Sequence, residues 1–148
     1  MSYLLAIVLI IIVHEAGHLF AAAVVGIKIE QVCLFLNPFF SIGKRKVLGT
    51  EVILGWLPLG GYVKISEIEV EKLELIFFYS MGIIFNVAVG ITILGGTLPE
   101  LIKMYFTNTL EFCSFKELFG FTSLVVAAIN LIPFEGTDGQ KIYKLIKK

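Results

Sequence analysis

The stretch VHEAGHLF, residues 13–20, puts ionisable side chains inside a segment that is otherwise apolar. Residues 2–27 are interrupted only by His14, Glu15 and His18. Ionisable groups in such a segment are costly unless they are paired or bind a metal, and they usually mark a functional site. The sequence therefore predicts a helix inside a membrane that carries chemistry at its centre.

The composition of the whole chain agrees with a lipid environment. Of its 148 residues, 57% are hydrophobic and 16% are charged, whereas a soluble domain has about 25% charged residues. The mean hydropathy is +0.92. The formal net charge is zero, so no basic face indicates a nucleic-acid partner. We expect the lipid bilayer to be the main partner of the surface.

Three segments are candidate membrane spans: residues 2–27, 75–98 and 118–134. The second and third contain no charged residue. A spanning helix needs about 20 mostly apolar residues. We therefore predict an α-helical polytopic membrane protein with a three-span core, in which residues 1–148 form a single membrane-embedded domain. A secretory signal peptide is the alternative for the first segment, but no Lys or Arg precedes it and His14 and Glu15 would lie in its apolar region.

Between the first two spans, residues 28–66 favour β-structure. They are rich in β-branched and aromatic residues and are broken by turn signals. We expect a turn at residues 42–45 and short strands at 50–56 and 62–65. This predicts a small β hairpin or sheet on the cytoplasmic side of the membrane.

The distribution of basic residues predicts the orientation. Segments before span two and after span three are rich in Lys and Arg, whereas the segment between them has only Lys103 and Lys116. Because positive residues favour the cytoplasm, we expect a multi-pass protein of the cell membrane with its N-terminus outside. Residues 28–74 and the C-terminal tail would be cytoplasmic. On this topology Cys33 and Cys113 lie on opposite faces and cannot pair.

His14 and His18 are four residues apart, so on a helix they lie on one face, one turn apart. Both imidazoles can then reach one cation, and Glu15 can act on its water without binding it. This is the HExxH pattern of two zinc ligands and a general base. The alternative is a pair of histidines that hydrogen-bond between helices, with Glu15 satisfied by a polar neighbour.

A catalytic zinc usually has three protein ligands and one open position. The chain has no third histidine, so the third ligand must be Asp, Glu or Cys. Glu135 and Asp138 flank a break in the third span, while Cys33 and Cys113 are weaker candidates. Asp138 could equally be a helix cap or turn residue exposed at the interface.

Several motifs occur together along most of the chain. They are HEAGH at residues 14–18, GTE at 49–51, PLGGYVK at 58–64, Gly82 and Asn86, NLIP at 130–133 and Asp138-Gly139. In this order the chain resembles the site-2 protease family of intramembrane zinc metalloproteases, in a minimal bacterial form. The resemblance implies a Zn²⁺ ion held by His14, His18 and Asp138, with Glu15 as the catalytic base.

The chain also departs from that family. Met81 and Ile83 stand where members often have Ala and Pro around the glycine, and Glu135 and Thr137 replace a Pro and a Leu before the aspartate. Glu135 could therefore compete with Asp138 as the third ligand. Residues 99–117 have no room for the PDZ domain that many bacterial relatives carry there.

The resemblance implies that the enzyme hydrolyses peptide bonds in or near transmembrane segments, in regulated intramembrane proteolysis. The partner would be a membrane protein with a single transmembrane helix, which must unwind locally. We expect Gly61 and Tyr62 to hold the extended substrate by strand addition, and Asn86 and Asn130 to bind its backbone. The alternatives are a self-paired strand and hydrogen bonds between helices.

Two other functions fit parts of the sequence. A proteolytically inactive zinc-binding membrane scaffold of the same family would explain the short chain and the changes at Glu135 and Thr137, although it would not need Glu15. A metal-ion transporter would need more polar residues along the spans than Asn86, Asn130 and small hydroxyl side chains. Three helices enclose a water-containing metal site incompletely. We therefore also consider a homodimer or a partner subunit that would complete the enclosure.

Overall fold

The computed structural model describes residues 2–66, 70–95 and 114–147. The described chain contains one helix, then two long consecutive strands, then three further helices. They are α1 (Ser2–Val25), β1 (Ile29–Val47), β2 (Thr50–Ile65), α2 (Lys72–Leu94), α3 (Phe115–Leu131) and α4 (Asp138–Lys147). Cys113 and most of the segment 99–117 lie outside the described residues.

Two of the described helices are long and apolar enough to cross a membrane. They cover Tyr3–Val25 and Lys72–Leu94, each 23 residues long, with mean hydropathies of 2.2 and 2.0. These helices correspond to the first two predicted spans. The third predicted span corresponds to α3, which has 17 residues and is at the short end of the range that can span. A third membrane span therefore stays a prediction.

Local sequence signals explain where the helices begin and end. The first turns of α2 and α3 are both closed by a capping box, with Glu71 and Glu74 in α2 and Ser114 and Glu117 in α3. In each box two backbone N–H groups that the helix leaves without partners are satisfied by side chains. Helix α1 ends just before Gly26, whose φ is +81°. This is the left-handed conformation that glycine often adopts after a helix.

The hairpin between β1 and β2 turns at Leu48 and Gly49. Their φ angles are 49° and 90°, and Val47 pairs with Thr50 across them. Two central residues with positive φ are typical of the tight turn that matches the twist of a hairpin. The turn predicted at residues 42–45 is wrong, because Lys44 in that segment pairs with Ile53.

The first half of β1 lies in the middle of the sheet. Cys33 pairs with Tyr62 on one side and with Ile53 on the other. The long strand β2 therefore folds around β1, and the sheet is small and mixed. Residues 51–54 run in the same direction as 31–34, whereas residues 61–65 run in the opposite direction. In the described part of the chain this leaves residues 61–65 at one edge.

Helix α2 is the centre of the helical packing. It contacts α1, α3 and α4, and α1 also contacts β2. The larger buried cluster joins α1, the sheet and α2 through Ala21, Ala22, Ile27, Val32, Val63, Ile65, Leu75, Phe78, Tyr79 and Met81. Large apolar side chains remain exposed on α1, among them Leu4, Leu5 and Phe20. Such a surface is expected where lipid replaces water.

Candidate metal centre

Three side chains converge at the middle of α1. Nε2 of His14 lies 2.9 Å from Oδ2 of Asp138, Nε2 of His18 lies 3.0 Å from the same oxygen, and the two Nε2 atoms are 3.2 Å apart. All three residues are buried. Two of them come from successive turns of α1, and the third comes from the first turn of α4, 120 residues later.

These donors fit a single divalent ion. Imidazole nitrogen and carboxylate oxygen bind zinc at about 2.0–2.2 Å, which separates neighbouring donors of a tetrahedral site by about 3.3–3.5 Å. The separations above are slightly shorter than this. Within residues 2–66, 70–95 and 114–147, this is the group of His, Cys, Asp and Glu side chains that could hold a metal ion. A metal would also offset the cost of burying two imidazoles and a carboxylate away from water.

Helix α2 orients His18 through its backbone. Nδ1 of His18 lies 2.9 Å from the carbonyl oxygen of Phe78. A carbonyl can only accept, so Nδ1 must carry the proton and Nε2 must present its lone pair. This is the usual arrangement behind a metal-binding histidine.

Asn86 occupies the corresponding position behind His14. The amide nitrogen of Asn86 lies 3.3 Å from Nδ1 of His14, and its amide oxygen has no partner in the described part of the chain. If His14 binds metal through Nε2, Nδ1 carries the proton and must meet an acceptor. Exchanging the amide nitrogen and oxygen, which are nearly indistinguishable in shape, supplies that acceptor and pairs the oxygen.

The position of Asn86 is fixed from the far side by α3. The hydroxyl of Ser123 donates to the backbone oxygen of Asn86 at 2.9 Å, and both residues are completely buried. Asn86 therefore lies behind the histidine and is not among the residues that line the cavity in front of it. Its predicted role in binding substrate stays a prediction, and the contact with His14 is the one that the structure describes.

Gly82 lets α2 approach the two histidines. A Cβ at this position would stand 2.6 Å from Nε2 of His18 and 2.8 Å from Cε1 of His14. Real Cβ atoms do not approach other atoms so closely, so any side chain here would push the imidazoles apart. The glycine is thus required by the site and by the helix packing together.

Asp138 is aimed inward because its neighbour caps the helix. The hydroxyl of Thr137 accepts from the backbone N–H of Gln140 at 3.2 Å and donates to the carbonyl of Ile132 at 2.7 Å. The capping role, which was the alternative considered for Asp138, therefore falls to Thr137. Burial raises the pKa of the Asp138 carboxyl, but the close contacts with His14 and His18 outweigh it and hold that pKa well below its usual range.

The other candidate ligands lie elsewhere. Glu135 is exposed, although it lines the mouth of the same cavity. Cys33 is buried in the sheet, where its thiol donates to the carbonyl of Phe35 at 3.2 Å, and burial raises its pKa. The structure thus brings Asp138, and neither Glu135 nor Cys33, to the two histidines.

Glu15 is buried beside the cluster without joining it. Its Oε2 has no hydrogen-bond partner in the part of the chain that the structure describes. On its other side the carboxylate packs against Gly61, where a Cβ would stand 2.9 Å from Oε1. Its place beside the three candidate ligands, and not among them, is the one that the HExxH pattern predicts for a general base.

A cavity of about 740 Å³ opens in front of these residues. His14, Glu15, His18 and Asp138 line it, as do three of the predicted substrate-binding residues: Gly61, Tyr62 and Asn130. In the structure the Tyr62 hydroxyl donates to Oε1 of Gln31 at 3.0 Å. The amide nitrogen of Asn130 donates to the carbonyl of Val126, one turn back, at 3.1 Å.

Sequence reasoning missed two contacts of the site. Lys141 contacts Asp138 and lines the cavity. Its spacing of three residues from Asp138 on a helix could have revealed it. No feature of the sequence identifies the Phe78 carbonyl as the partner of His18. Every residue carries such a group, and only the packing of α2 on α1 selects this one.

The comparison with protein families identifies the class of this site. The model of peptidase family M50 matches residues 2–100, more than half of the chain. The chain belongs to peptidase family M50. Members of this family are zinc-dependent metalloproteases, so the expected family is confirmed, and the expected metal and enzyme class agree with it. The matched range contains His14, Glu15, His18 and Asn86, whereas Asp138 lies beyond it.

Individual relatives share about a third to two fifths of the aligned residues. The Regulator of sigma E protease of Haemophilus influenzae is 41% identical over 73 residues, which cover 45% of this chain and 15% of that protein. The Regulator of sigma-E protease RseP of Escherichia coli is 36% identical over 77 residues, covering 47% and 15%. A relative from Helicobacter pylori, named as a zinc metalloprotease, is 38% identical over 74 residues, covering 47% and 19%. The matched part thus covers less than a fifth of each of these relatives.

Proposed function

We propose that this protein is an intramembrane zinc metalloprotease that hydrolyses peptide bonds in or near the transmembrane segments of other membrane proteins. The observation that carries the proposal is the meeting of His14 and His18, in the middle of an apolar helix, with Asp138 from α4, and with Glu15 beside them. The family and the names of the relatives support the enzyme class. The position of the cluster within α1 supports the membrane as the place of reaction.

The residues divide the chemistry among them. His14, His18 and Asp138 would hold Zn²⁺, which when bound activates water and polarises a carbonyl group. Glu15 is placed to take a proton from water and to deliver it to the departing amine. Its unpaired Oε2 and its burial beside the cluster suit that role. Phe78 and Asn86 hold the imidazoles in the orientation that metal binding needs.

The cavity indicates how a substrate would bind. Its walls come from α1, α3 and the edge of β2, and they include apolar side chains such as Ile7, Ile11 and Val125. A transmembrane helix hides its carbonyl groups, so it must unwind before attack. The unwound strand would pair with residues 61–65 by strand addition, with Tyr62 and Asn130 close to it. The substrate would be a membrane protein with a single transmembrane helix, cut in regulated intramembrane proteolysis.

The topology belongs to the same proposal. Two apolar helices and relationship to family M50 indicate a membrane protein. In the proposed arrangement α3 is the third span, the N-terminus lies outside, and residues 28–74 and the C-terminal tail are cytoplasmic. The distribution of lysine and arginine supports this orientation. A homodimer or a partner subunit would complete the enclosure of the cavity.

Cleavage in a defined bilayer tests the proposal. The wild type and Glu15→Gln are reconstituted into liposomes with single-span substrates whose helices differ in stability, and the products are separated on a gel. We expect cleavage by the wild type alone, fastest for helices weakened by glycine. If zinc-loaded wild type cuts none of them and still retains them on co-purification, the inactive scaffold becomes the better description.

A further inference from the structure

Lys141 binds the oxygen of Asp138 that faces away from the histidines. Its Nζ lies 3.2 Å from Oδ1, whereas Oδ2 is the oxygen that contacts both imidazoles, at 2.9 and 3.0 Å. The two oxygens of the carboxylate therefore have separate partners. One points into the metal centre, and the other is occupied by a positive charge.

The ammonium group of Lys141 is itself held in place. It lies 4.8 Å from the centre of the Tyr79 ring, and Tyr79 is a buried residue of α2. A cation over an aromatic face is attracted by the ring, more strongly where water is partly excluded. Lys141 also follows Asp138 by three residues on α4, so the two side chains are neighbours on one helix face. The pair differs in this respect from an exposed ion pair, because its carboxylate is buried.

The number of carboxylate oxygens on the metal decides whether the site can work. A catalytic zinc has three protein ligands and keeps a fourth position open. A carboxylate can bind through one oxygen or through both, and a second oxygen from Asp138 would compete for the open position. A cation held against Oδ1 opposes that change, since the oxygen would have to leave Lys141 to reach the metal.

We propose that Lys141, supported by the ring of Tyr79, is a positioning residue that restricts Asp138 to one-oxygen binding and so keeps the fourth metal position open. This inference rests on the metal centre described above and does not depend on which substrate is cut. It gives the lysine of the Asp-Gly-Gln-Lys sequence at residues 138–141 a role in setting the geometry of the ligand rather than in touching the substrate.

The test compares three variants of the full chain in detergent: Lys141→Met, Lys141→Arg and Lys144→Met. The last is a matched control, because Lys144 lies on the same helix with an exposed side chain. Zinc affinity is measured by competition with a chromophoric chelator, and the visible spectrum is recorded after replacing zinc with Co²⁺. Four-coordinate Co²⁺ absorbs more strongly than five-coordinate Co²⁺, so the spectrum reports the extra oxygen directly.

We expect Lys141→Met to lower the cobalt absorption, because Oδ1 is then free to reach the metal, and to bind zinc more tightly, because the metal gains an oxygen ligand and loses a nearby positive charge. Lys141→Arg, which keeps the cation, and Lys144→Met should behave as the wild type. A wild-type affinity and spectrum in Lys141→Met would overturn the inference. If that variant does not fold, as judged by circular dichroism, Lys141→Ala is measured in its place with the same two outcomes. Failure of the wild type to bind zinc would instead contradict the metal centre itself.

Discussion

Gly61 lies directly against the carboxylate of Glu15, so close that a Cβ on residue 61 would stand 2.9 Å from Oε1 and 2.8 Å from the carbonyl oxygen of Cys33. The edge of the sheet and the proposed catalytic base are therefore in direct contact. A strand placed along residues 61–65 would bring its peptide bonds past Glu15. This contact links the β-structure outside the helices to the chemistry inside them.

Replacing Gly61 by alanine should disturb the base and leave the metal in place. The added methyl group must displace either Glu15 or the β1 backbone, and a misplacement of about 1 Å can cost roughly 100-fold in rate. We expect Gly61→Ala to reduce cleavage strongly while zinc per chain stays at the wild-type value. Gly43→Ala is the control, since no atom of the described residues lies within 4 Å of a Cβ at that position. Equal cleavage rates for the two variants would argue against a tight Gly61–Glu15 contact.

Gly82→Ala, in contrast, should disturb metal binding. Its methyl group would collide with both imidazoles, at 2.6 and 2.8 Å, so we expect zinc to be lost or bound far more weakly. Overpacking of this kind also costs about 1–3 kcal/mol of stability. Zinc content and thermal unfolding of the purified variant measure the two effects, with Gly43→Ala again as the control. Full zinc occupancy in Gly82→Ala would mean that α2 does not approach the site as described.

Asn86 should affect the affinity for zinc indirectly, through its contact with His14. Substitution by leucine removes the acceptor for Nδ1–H and should weaken zinc binding about 10- to 100-fold. Asn86→Asp keeps an acceptor of nearly the same shape and should retain more of the affinity. Chelator competition on both variants decides between this role and direct substrate binding, because a residue that binds substrate alone would leave zinc affinity unchanged in both.

Glu15→Gln should separate metal binding from catalysis. The amide has the shape of the carboxylate but cannot accept a proton from water. We expect wild-type zinc content and a cleavage rate lower by about 100- to 10,000-fold. The liposome assay with a single-span substrate supplies the rate, and mass spectrometry supplies the zinc content. Cleavage at the wild-type rate would remove Glu15 from the mechanism.

The sequence predicts the parts of the site that lie close together along the chain. It does not predict the parts that depend on how the helices pack against each other. The spacing of His14, Glu15 and His18 follows from helix periodicity, so their common face could be read directly. Asp138 could be named from the family resemblance, but its inward direction depends on the cap formed by Thr137. The place of Asn86 behind His14 depends on how α2 packs against α1, and a single sequence carries no signal for that.

The sheet shows the same limit of prediction from a single sequence. The β-branched and aromatic residues of segment 28–66, broken by turn signals, predict its existence. The sequence predicts the turn at residues 42–45, because glycine at position 43 and the charged residues after it resemble a turn. Pairing of Lys44 with Ile53 fixes the register, and this depends on partners in another strand.

Zinc content most directly tests the central claim that a buried His-His-Asp cluster holds the metal. The wild type, His18→Ala, Asp138→Ala and Glu135→Ala are purified in detergent, and zinc per chain is measured by mass spectrometry. We predict one zinc in the wild type and in Glu135→Ala, and depletion in His18→Ala and Asp138→Ala. Retention of zinc by Asp138→Ala together with its loss from Glu135→Ala would contradict the ligand set described here and assign the third position to Glu135.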